Sequence, residues 1–253
     1  MRESVGRNLH EKIANALGVA IVSGEHPPGS ALPTEMELCA RLSVSRSALR
    51  EAFKLLAAKR LIVSRQKIGT LVRLRAEWNM LDPEVLAWHL QAIPTDAFVS
   101  GLFEVRQIVE PQAAALAAER RTPHAVARIE QALLDMEARQ DGEARQDGVS
   151  DLADADLRFH QGILDATGNY FLASFGAVIE SSLVASFQLS WHGGARTPVH
   201  ALRQHHGVLT AIRLGRSAEA HAVMTELLRA AGEDVRESLA RRRQRAAEVV
   251  DAL

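Results

Sequence analysis

The sequence predicts a mainly α-helical fold, with an N-terminal winged helix-turn-helix domain and a C-terminal all-α helical bundle. In the N-terminal part, apolar residues recur at intervals of three and four, the spacing of a buried helical face. Aromatic residues make up only 4% of the 253 residues, so the core is rich in alanine, leucine and valine. We expect a winged domain over residues 1–75, a linker over 76–95 and a helical domain over 96–253.

Charge is divided unevenly between these parts. Residues 1–75 contain 13 lysines and arginines against six acidic residues, a net charge of +7, whereas the remainder contains 17 against 25, a net charge of −8. Every lysine lies at or before Lys67. The near-neutral total therefore conceals a basic N-terminal part, and this asymmetry indicates a nucleic-acid partner.

The winged domain begins with two helices that the sequence delimits clearly. The first covers residues 8–23 and ends where Gly24 interrupts the pattern. The second follows Thr34, which can cap it, because Glu37 three residues later can complete a capping box. A turn over residues 42–44 leads to the next helix.

The third helix has the features of a recognition helix. Ser45 caps it, and its apolar residues lie on one face: Leu49, Phe53, Leu56 and Ala57. Its first turn and a half presents side chains that can donate hydrogen bonds to base edges and phosphates: Ser45, Arg46, Ser47 and Arg50. An amphipathic helix with a solvated basic end is the alternative, and the excess of positive charge disfavours it.

Two short strands follow this helix, over residues 61–64 and 70–74, with a basic tip over residues 65–69. This tip is the predicted wing, and Gln66, Lys67 and Gly69 are its candidate DNA contacts.

The linker carries a helix start at Asp82–Pro83, because proline is tolerated in a first turn. Trp78 and Trp88 lie within its apolar runs. Since aromatic residues in such runs usually belong to a core, we expect them to pack the linker against a domain and not to stack on a ligand.

The rest of the chain has the pattern of a helical bundle. The first helix of the bundle, over residues 96–120, contains Pro111, where a kink is expected. The tandem repeat EARQDG over residues 137–148 has no large apolar residue and predicts a mobile loop. The other helices are predicted over residues 122–139, 150–167, 170–191, 199–214 and 217–245.

Two clusters of acidic residues and histidines lie in this bundle. Asp156 and His160 are four residues apart, so they share one helical face and both can reach one metal ion. His205 and His206 lie on a later helix. Carboxylate and imidazole ligands suit Zn, Ni, Mn or Fe(II). Spacing alone favours another interpretation, in which the pair is an ordinary surface ion pair and the histidines belong to the core.

Several classes of protein are not indicated. The chain has one cysteine, Cys39, which excludes a disulfide framework and fits a reducing compartment. There is no run of about 18 apolar residues and no apolar signal-peptide core, so we expect a cytoplasmic protein without a membrane span. Neither a Gly-rich phosphate loop nor a CxxC motif occurs, so a nucleotide-dependent enzyme is poorly supported.

The run PPGSALPTEMELCARLSVSRSALREAFKLLAAKRLI, with GTLV after it, resembles the GntR family of bacterial transcription regulators. The resemblance covers the whole winged domain and implies binding to double-stranded operator DNA. Many members have arginine directly after the glutamate of the "LPxE" element, where it contacts DNA. Here that position is Met36, so the resemblance implies that this contact is absent.

The segments LADADLRFHQGILDATGN and LRQHHGVLTAIRLG resemble the FCD effector domain of FadR-type members of this family, over roughly residues 96–245. In that family the matching aspartate and histidines bind a metal, which implies Asp156, His160 and His205 as ligands here, with Zn or Ni as the ion. A fourth family histidine falls at Leu227, and His221 is a poor substitute. The site is therefore either open, with three ligands, or lost.

The resemblance also implies an effector site. Arg106 matches the family arginine that reaches the effector cavity, and Trp191 either caps that cavity or belongs to the core. The linker string WNMLDPEVLAW resembles that of sugar-acid regulators, which implies a small carboxylate effector such as galactonate or gluconate. The expected protein is a homodimeric repressor of a catabolic operon that holds its effector with Arg106, Asp156, His160, Trp191 and His205.

Two other functions remain open at this point. The first is a metal-dependent enzyme fused to a DNA-binding domain, although no general base is evident beside the candidate ligands. The second is a constitutive DNA-binding protein without an effector, whose DNA affinity would not respond to any ligand.

Overall fold

Helices account for most of the chain in the computed structural model, as the sequence predicts. The structure describes residues 2–92, 94–140, 146–190 and 198–251. The chain divides into an N-terminal unit over residues 1–94 and a C-terminal unit over residues 95–253. Within the described part of the chain, no helix combines the length and apolar character required to cross a membrane.

The N-terminal unit is a winged helix-turn-helix, so the predicted fold class is confirmed. Its two strands pair antiparallel, with Ile62 opposite Val72 and Arg65 opposite Gly69, and each differs slightly from its predicted bounds. The first helix begins earlier than residue 8. The elements are α1 (Arg2–Ser23), α2 (Glu35–Leu42), α3 (Arg46–Ala58), β1 (Ile62–Arg65), β2 (Gly69–Val72), a 3-10 turn (Arg75–Glu77) and α4 (Pro83–Gln91).

Local hydrogen bonds determine where α2 and α3 begin and end. The predicted capping box is present, because Glu37 N donates to Thr34 Oγ1 at 3.3 Å and Thr34 N donates to Glu37 Oε2 at 2.8 Å. Ser43 ends α2 in the left-handed conformation, with a φ of 55°. Ser45 Oγ then accepts a hydrogen bond from Ala48 N at 3.2 Å and begins α3. These bonds establish the turn between the two helices.

The linker helix α4 packs into the core of the N-terminal unit. Trp78 and Trp88 are 5% and 2% exposed, which confirms that they pack against a domain. Trp88 Nε1 donates to Asn15 Oδ1 at 2.9 Å, and its ring lies directly over Gly18 on α1. The absence of a side chain at Gly18 thus allows α1 and α4 to approach closely.

A partly buried ion pair connects α4 to the C-terminal end of α3. Lys59 Nζ lies 2.9 Å from both carboxylate oxygens of Asp82 and also contacts Glu84. Asp82 also caps α4, since its Oδ1 accepts from Glu84 N at 3.0 Å. The backbone adds a further connection, because Asn79 N donates to Lys59 O at 3.1 Å. One aspartate therefore both begins the linker helix and ties it to the recognition helix.

The C-terminal unit is a helical bundle in which α5 packs against α7, α9, α10 and α11. Four alanines of α5 are completely buried, and their small size lets the neighbouring helices approach: Ala113, Ala114, Ala117 and Ala118. The helices are α5 (Asp96–Arg120), α6 (Pro123–Gln140), α7 (Gln146–Ala166), α8 (Tyr170–Ala173), α9 (Gly176–Ser190), α10 (Pro198–Leu214) and α11 (Ser217–Asp251).

Two predictions for this unit need correction. The helix predicted over residues 170–191 is two helices, α8 and α9, because the chain turns at Phe175 to pack that ring against the core. Helices α6 and α7 extend into the EARQDG repeat, and residues 141–145 lie outside the described residues. Helix α5 covers residues 96–120, as predicted, and contains Pro111.

Substitution of Gly18 by alanine should destabilise the N-terminal unit. A Cβ at this position would lie 2.5 Å from Cδ2 and Cε3 of Trp88, a distance at which the ring or the helix must move. Overpacking of this kind costs about 1–3 kcal/mol. Urea unfolding followed by tryptophan fluorescence measures the effect, because Trp78 and Trp88 both lie in this core.

The matched control is Gly101→Ala on α5, where a Cβ would have no neighbouring atom within 4 Å. This substitution should leave the fluorescence transition unchanged. An unchanged free energy of unfolding in Gly18→Ala would show that α1 and α4 do not approach as closely as the structure indicates.

Candidate functional site

The first turn of α3 presents the polar side chains that the sequence predicts for DNA contact. Ser45, Arg46, Ser47 and Arg50 are all exposed. Arg46 pairs with no other residue in the described part of the chain. Arg50 Nε lies 3.1 Å from Glu35 Oε2, so α2 orients this guanidinium. Ser45 is also engaged, because its hydroxyl caps the helix and lies 3.0 Å from Ser47 Oγ.

The wing is a three-residue loop between Arg65 and Gly69. Lys67 occupies the left-handed region with a φ of 63°, and Gly69 has a φ of 100°. Gln66 and Lys67 are exposed at the tip. On α2, Met36 is 67% exposed at the position where many relatives have a DNA-contacting arginine. The N-terminal unit thus exposes hydrogen-bond donors on α3 and on the wing. On α2 it exposes the apolar side chain of Met36.

The three candidate metal ligands of the C-terminal unit converge. Asp156 and His160 lie on one face of α7, and His205 reaches them from α10. Asp156 Oδ1 lies 3.4 Å from His160 Nε2 and 3.0 Å from His205 Nε2. One ligand atom from each residue lies within 4.8 Å of the others, a spacing compatible with one shared ion.

The other ring nitrogen of each histidine is held by a hydrogen bond. His205 Nδ1 lies 2.8 Å from the carbonyl oxygen of Ala201 and donates to it. His160 Nδ1 contacts a carboxylate oxygen of Glu110. Both Nε2 atoms are therefore turned towards Asp156. A carboxylate or carbonyl behind a ligating histidine is a usual feature of metal sites, because it sets the tautomer and ring orientation.

Glu110 is the main residue of the site that the sequence reasoning missed. It is 1% exposed, and its two carboxylate oxygens have different partners. Oε1 accepts from Arg106 Nε at 2.5 Å, and Oε2 contacts His160. The signal was present, because Arg106 and Glu110 are four residues apart on α5 and so lie on one face. Nothing in the sequence showed that this face is buried.

Arg106 lines a cavity of the C-terminal unit, and its guanidinium already has partners within the protein. The residue is 2% exposed. Besides Glu110, its Nη1 donates to Ser182 Oγ at 3.2 Å and its Nη2 lies 3.4 Å from His160 Nε2. The structure therefore gives this arginine internal partners from α5, α7 and α9.

Charge pairing keeps both carboxylates of the site ionised. Burial alone would raise the pKa of Glu110, but Arg106 and His160 lower it well below its ordinary value. In the same way, burial opposes ionisation of Asp156, while hydrogen bonds from His160 and His205 lower its pKa. Burial would lower the pKa of His160, and the two carboxylates raise it instead. Coordination through Nε2 requires the neutral ring, so cation binding would release a proton.

Arg106, Asp156, His160 and His205 line a cavity of about 230 Å³ within the C-terminal unit. Its remaining wall is largely apolar and includes Leu227, which is 3% exposed and offers no ligand atom. Asp234 on α11 adds a further carboxylate. The lining residues are Phe103, Arg106, Asp156, His160, Leu183, Ser186, Ala201, His205, Leu227, Leu228, Ala231, Asp234 and Val235.

Two other predicted candidates lie elsewhere, and a third is outside the described residues. His206 is exposed and pairs with Glu137 at 2.5 Å, so it faces away from the cluster. His221 contacts Gln112 at 3.2 Å and does not line the cavity. Trp191 lies outside the described residues, so its predicted place at the cavity is a proposal only.

Comparison with known families gives two matches. The model described as "FCD domain" matches residues 101–230, and that described as "Bacterial regulatory proteins, gntR family" matches residues 9–72. The first covers all three candidate metal ligands and most of the residues that line the cavity. The second covers α3 and the wing.

Known proteins similar to this chain are transcription regulators. The galactonate operon transcriptional repressor of Escherichia coli (strain K12) is 39% identical over 206 residues, which are 81% of this chain and 87% of the relative. The HTH-type transcriptional regulator LutR of Bacillus subtilis (strain 168) is 32% identical over 209 residues, 81% of this chain and 90% of the relative.

A solved structure supports the fold alone. Lar, which controls the expression of the Listeria monocytogenes agr system, aligns with a TM-score of 0.63 at 18% identity, over 90% of this chain and 97% of that chain.

Alanine at Arg46 and at Lys67 should affect DNA binding differently. If Arg46 contacts a base, Arg46→Ala should weaken binding to a selected duplex by about 1–3 kcal/mol and relax its sequence preference. Lys67→Ala should weaken binding to all sequences alike and reduce the salt slope by about 1. Fluorescence anisotropy with a duplex selected from a random pool, at several salt concentrations, measures both effects.

Lys54→Ala is the matched control, because Lys54 is an exposed basic residue on α3 that already pairs with Glu51 at 2.8 Å. It should bind the duplex almost normally. Full affinity in an Arg46→Ala/Arg50→Ala double variant would rule out the start of α3 as the reading surface.

Proposed function

We propose that this chain, which belongs to the GntR family of bacterial regulatory proteins and carries an FCD domain, represses a catabolic operon and is released by a sugar acid such as galactonate or gluconate. The main support for this proposal is the cavity in the C-terminal unit. Its lining includes Arg106, Asp156, His160 and His205. It provides both a cation site and a guanidinium within the C-terminal unit.

The N-terminal unit would bind operator DNA as one half of a homodimer. Ser45, Arg46, Ser47 and Arg50 would enter the major groove at the start of α3, with Gln66, Lys67 and Gly69 on the wing beside it. A dimer of such units reads two half-sites about one helical turn apart. The exposed Met36 supports an operator that differs from those read through the family arginine.

The residues of the cluster fit a divalent transition metal such as Zn or Ni. Both histidines are held by their Nδ1 atoms, which leaves Nε2 as the ligand atom, and Asp156 supplies a carboxylate oxygen beside them. Leu227 stands where a fourth ligand would be, so the protein would leave part of the coordination sphere to another molecule. The ion would act as a Lewis acid towards oxygen atoms of a bound acid.

A small hydroxy acid fits the cavity in size and chemistry. About 230 Å³ is below the usual range for drug-sized ligands. An N–H of Arg106 Nη2 lies 3.4 Å from His160 Nε2, which could not accept it with a cation bound. That N–H would then be available to a ligand carboxylate. The similarity to the galactonate operon repressor supports a sugar acid.

The two other functions have less support. An enzyme that used this site would need a free general base, and the buried carboxylate nearest the cluster, Glu110, has both oxygens engaged. The similar known proteins are regulators. A DNA-binding protein without an effector would have no need for a cavity that collects buried charged groups.

Loss of His205 should abolish tight metal binding, whereas loss of its neighbour should not. His205→Ala removes a ligand atom and should reduce affinity for Ni²⁺ by about 100-fold or more, since even outer-shell changes cost 10–100-fold. His206→Ala is the matched control, because His206 is exposed and faces Glu137. Calorimetric titration of chelator-treated protein measures the affinity. Equal affinities in the two variants would contradict the proposed site.

Metal and effector should bind cooperatively, because each would supply contacts that the other needs. Affinity for galactonate should rise about fivefold or more when Ni²⁺ is present. Leu227→His should tighten Ni²⁺ binding and weaken this coupling, because the histidine would take the position left to the ligand. Calorimetry with galactonate and gluconate, with and without Ni²⁺, makes the test. Equal affinity with and without Ni²⁺ would instead favour Asp156 and His160 as direct partners of the effector hydroxyls.

A further inference from the structure

The pairing of Arg106 with Glu110 affects how many negative charges a ligand of the cavity can carry. Resting on the proposed function, we propose that Glu110 makes the cavity selective for a ligand with a single carboxylate group, because it neutralises Arg106 inside the protein. Sugar monoacids would be accepted, and diacids of the same length would be excluded.

Glu110 and Arg106 form a closed pair. Arg106 Nε lies 2.5 Å from Glu110 Oε1, and the two side chains are each 2% exposed. In this surrounding the positive charge of the guanidinium already has its counter-ion. Arg106 can still donate a hydrogen bond to a ligand, but it does not supply an uncompensated charge.

Within the described part of the chain, no second permanent cation lines the cavity. Among the described lining residues, Arg106 is the sole arginine or lysine, whereas Asp156 and Asp234 are both acidic. A divalent cation bound at the cluster would bring two positive charges. Asp156 would balance one of them, so at most one ligand carboxylate would find a positive charge to pair with.

A second ligand carboxylate would therefore have no cation to pair with. It would be removed from water without compensation, which costs several kilocalories per mole, and it would share the cavity with Asp234. A ligand hydroxyl group in the same place would be favourable, since it can donate a hydrogen bond to a carboxylate or to Ser186. Rejection of the wrong ligand would thus come from a missing cation and a like charge.

Matched acids and charge variants test this inference. Galactonate is a monoacid, and galactarate is the diacid that differs from it only by oxidation of the terminal CH₂OH group. Lactate is a monoacid, and tartronate is the diacid with a carboxylate in place of the methyl group of lactate. The proteins are wild type, Glu110→Gln, Arg106→Gln and the double variant, all with Ni²⁺. Calorimetry gives the ratio of monoacid to diacid affinity for each pair.

Wild type should prefer the monoacid by about tenfold or more. Glu110→Gln leaves the guanidinium uncompensated and should shift the ratio towards the diacid by about tenfold. The double variant restores the charge balance and should recover the preference for the monoacid. A purely structural role for Glu110 would weaken both acids equally, leave the ratio unchanged and give no recovery, and this result would overturn the inference.

Asp234→Asn provides a second test that does not disturb the Arg106–Glu110–His160 contacts, in case Glu110→Gln does not fold. It removes a lining anion and should raise diacid affinity relative to monoacid affinity by several-fold. No change in the ratio would count against the inference.

The two levels of proposal fail differently. If no acid of either pair binds, with or without Ni²⁺, the proposed function fails. If monoacids and diacids bind wild type equally well, only the charge selectivity fails.

Discussion

The carboxylate of Glu110 is the constraint on which the candidate ligand site depends. It lies between a guanidinium and an imidazole, with one oxygen for each, and all three side chains are almost completely buried. A buried charge is costly unless it is paired and hydrogen-bonded, and here the pairing serves three helices at once. Glu110 holds Arg106 on its own helix and fixes His160 on α7, while Arg106 also donates to Ser182 on α9. The orientation of the cluster is thus built into the packing of the bundle.

The N-terminal unit is organised by local bonds instead. Thr34 with Glu37, and Ser45 with Ala48, establish the start of each helix within a few residues of sequence. Such local rules explain why the winged helix-turn-helix could be predicted almost element by element. The pair Asp156 and His160 was equally accessible, because four residues place two side chains on one helical face.

What the sequence could not show depends on contacts between distant segments. His205 lies on α10, and spacing alone could not connect it with α7; only the family resemblance did. Glu110 belongs to an i,i+4 pair with Arg106 of the kind usually found on helix surfaces, and its importance comes from burial by α7 and α9. The break at Phe175 was missed for the same reason, since the ring turns inward to a core that the local pattern does not describe.

The attachment of α4 has a mechanical consequence. This helix is packed on α1 through Trp88 and Gly18 and is tied to the end of α3 through Asp82 and Lys59. A rotation of α4 would therefore move the helix-turn-helix with it as a rigid body. The DNA-contacting side chains would keep their arrangement. If the chain dimerises and responds to a ligand through α4, as we propose, the signal would alter the separation and rotational phase of the two DNA-binding units along the duplex. The ligand would then change which separation between half-sites a dimer can bind. The same side chains would still contact each half-site.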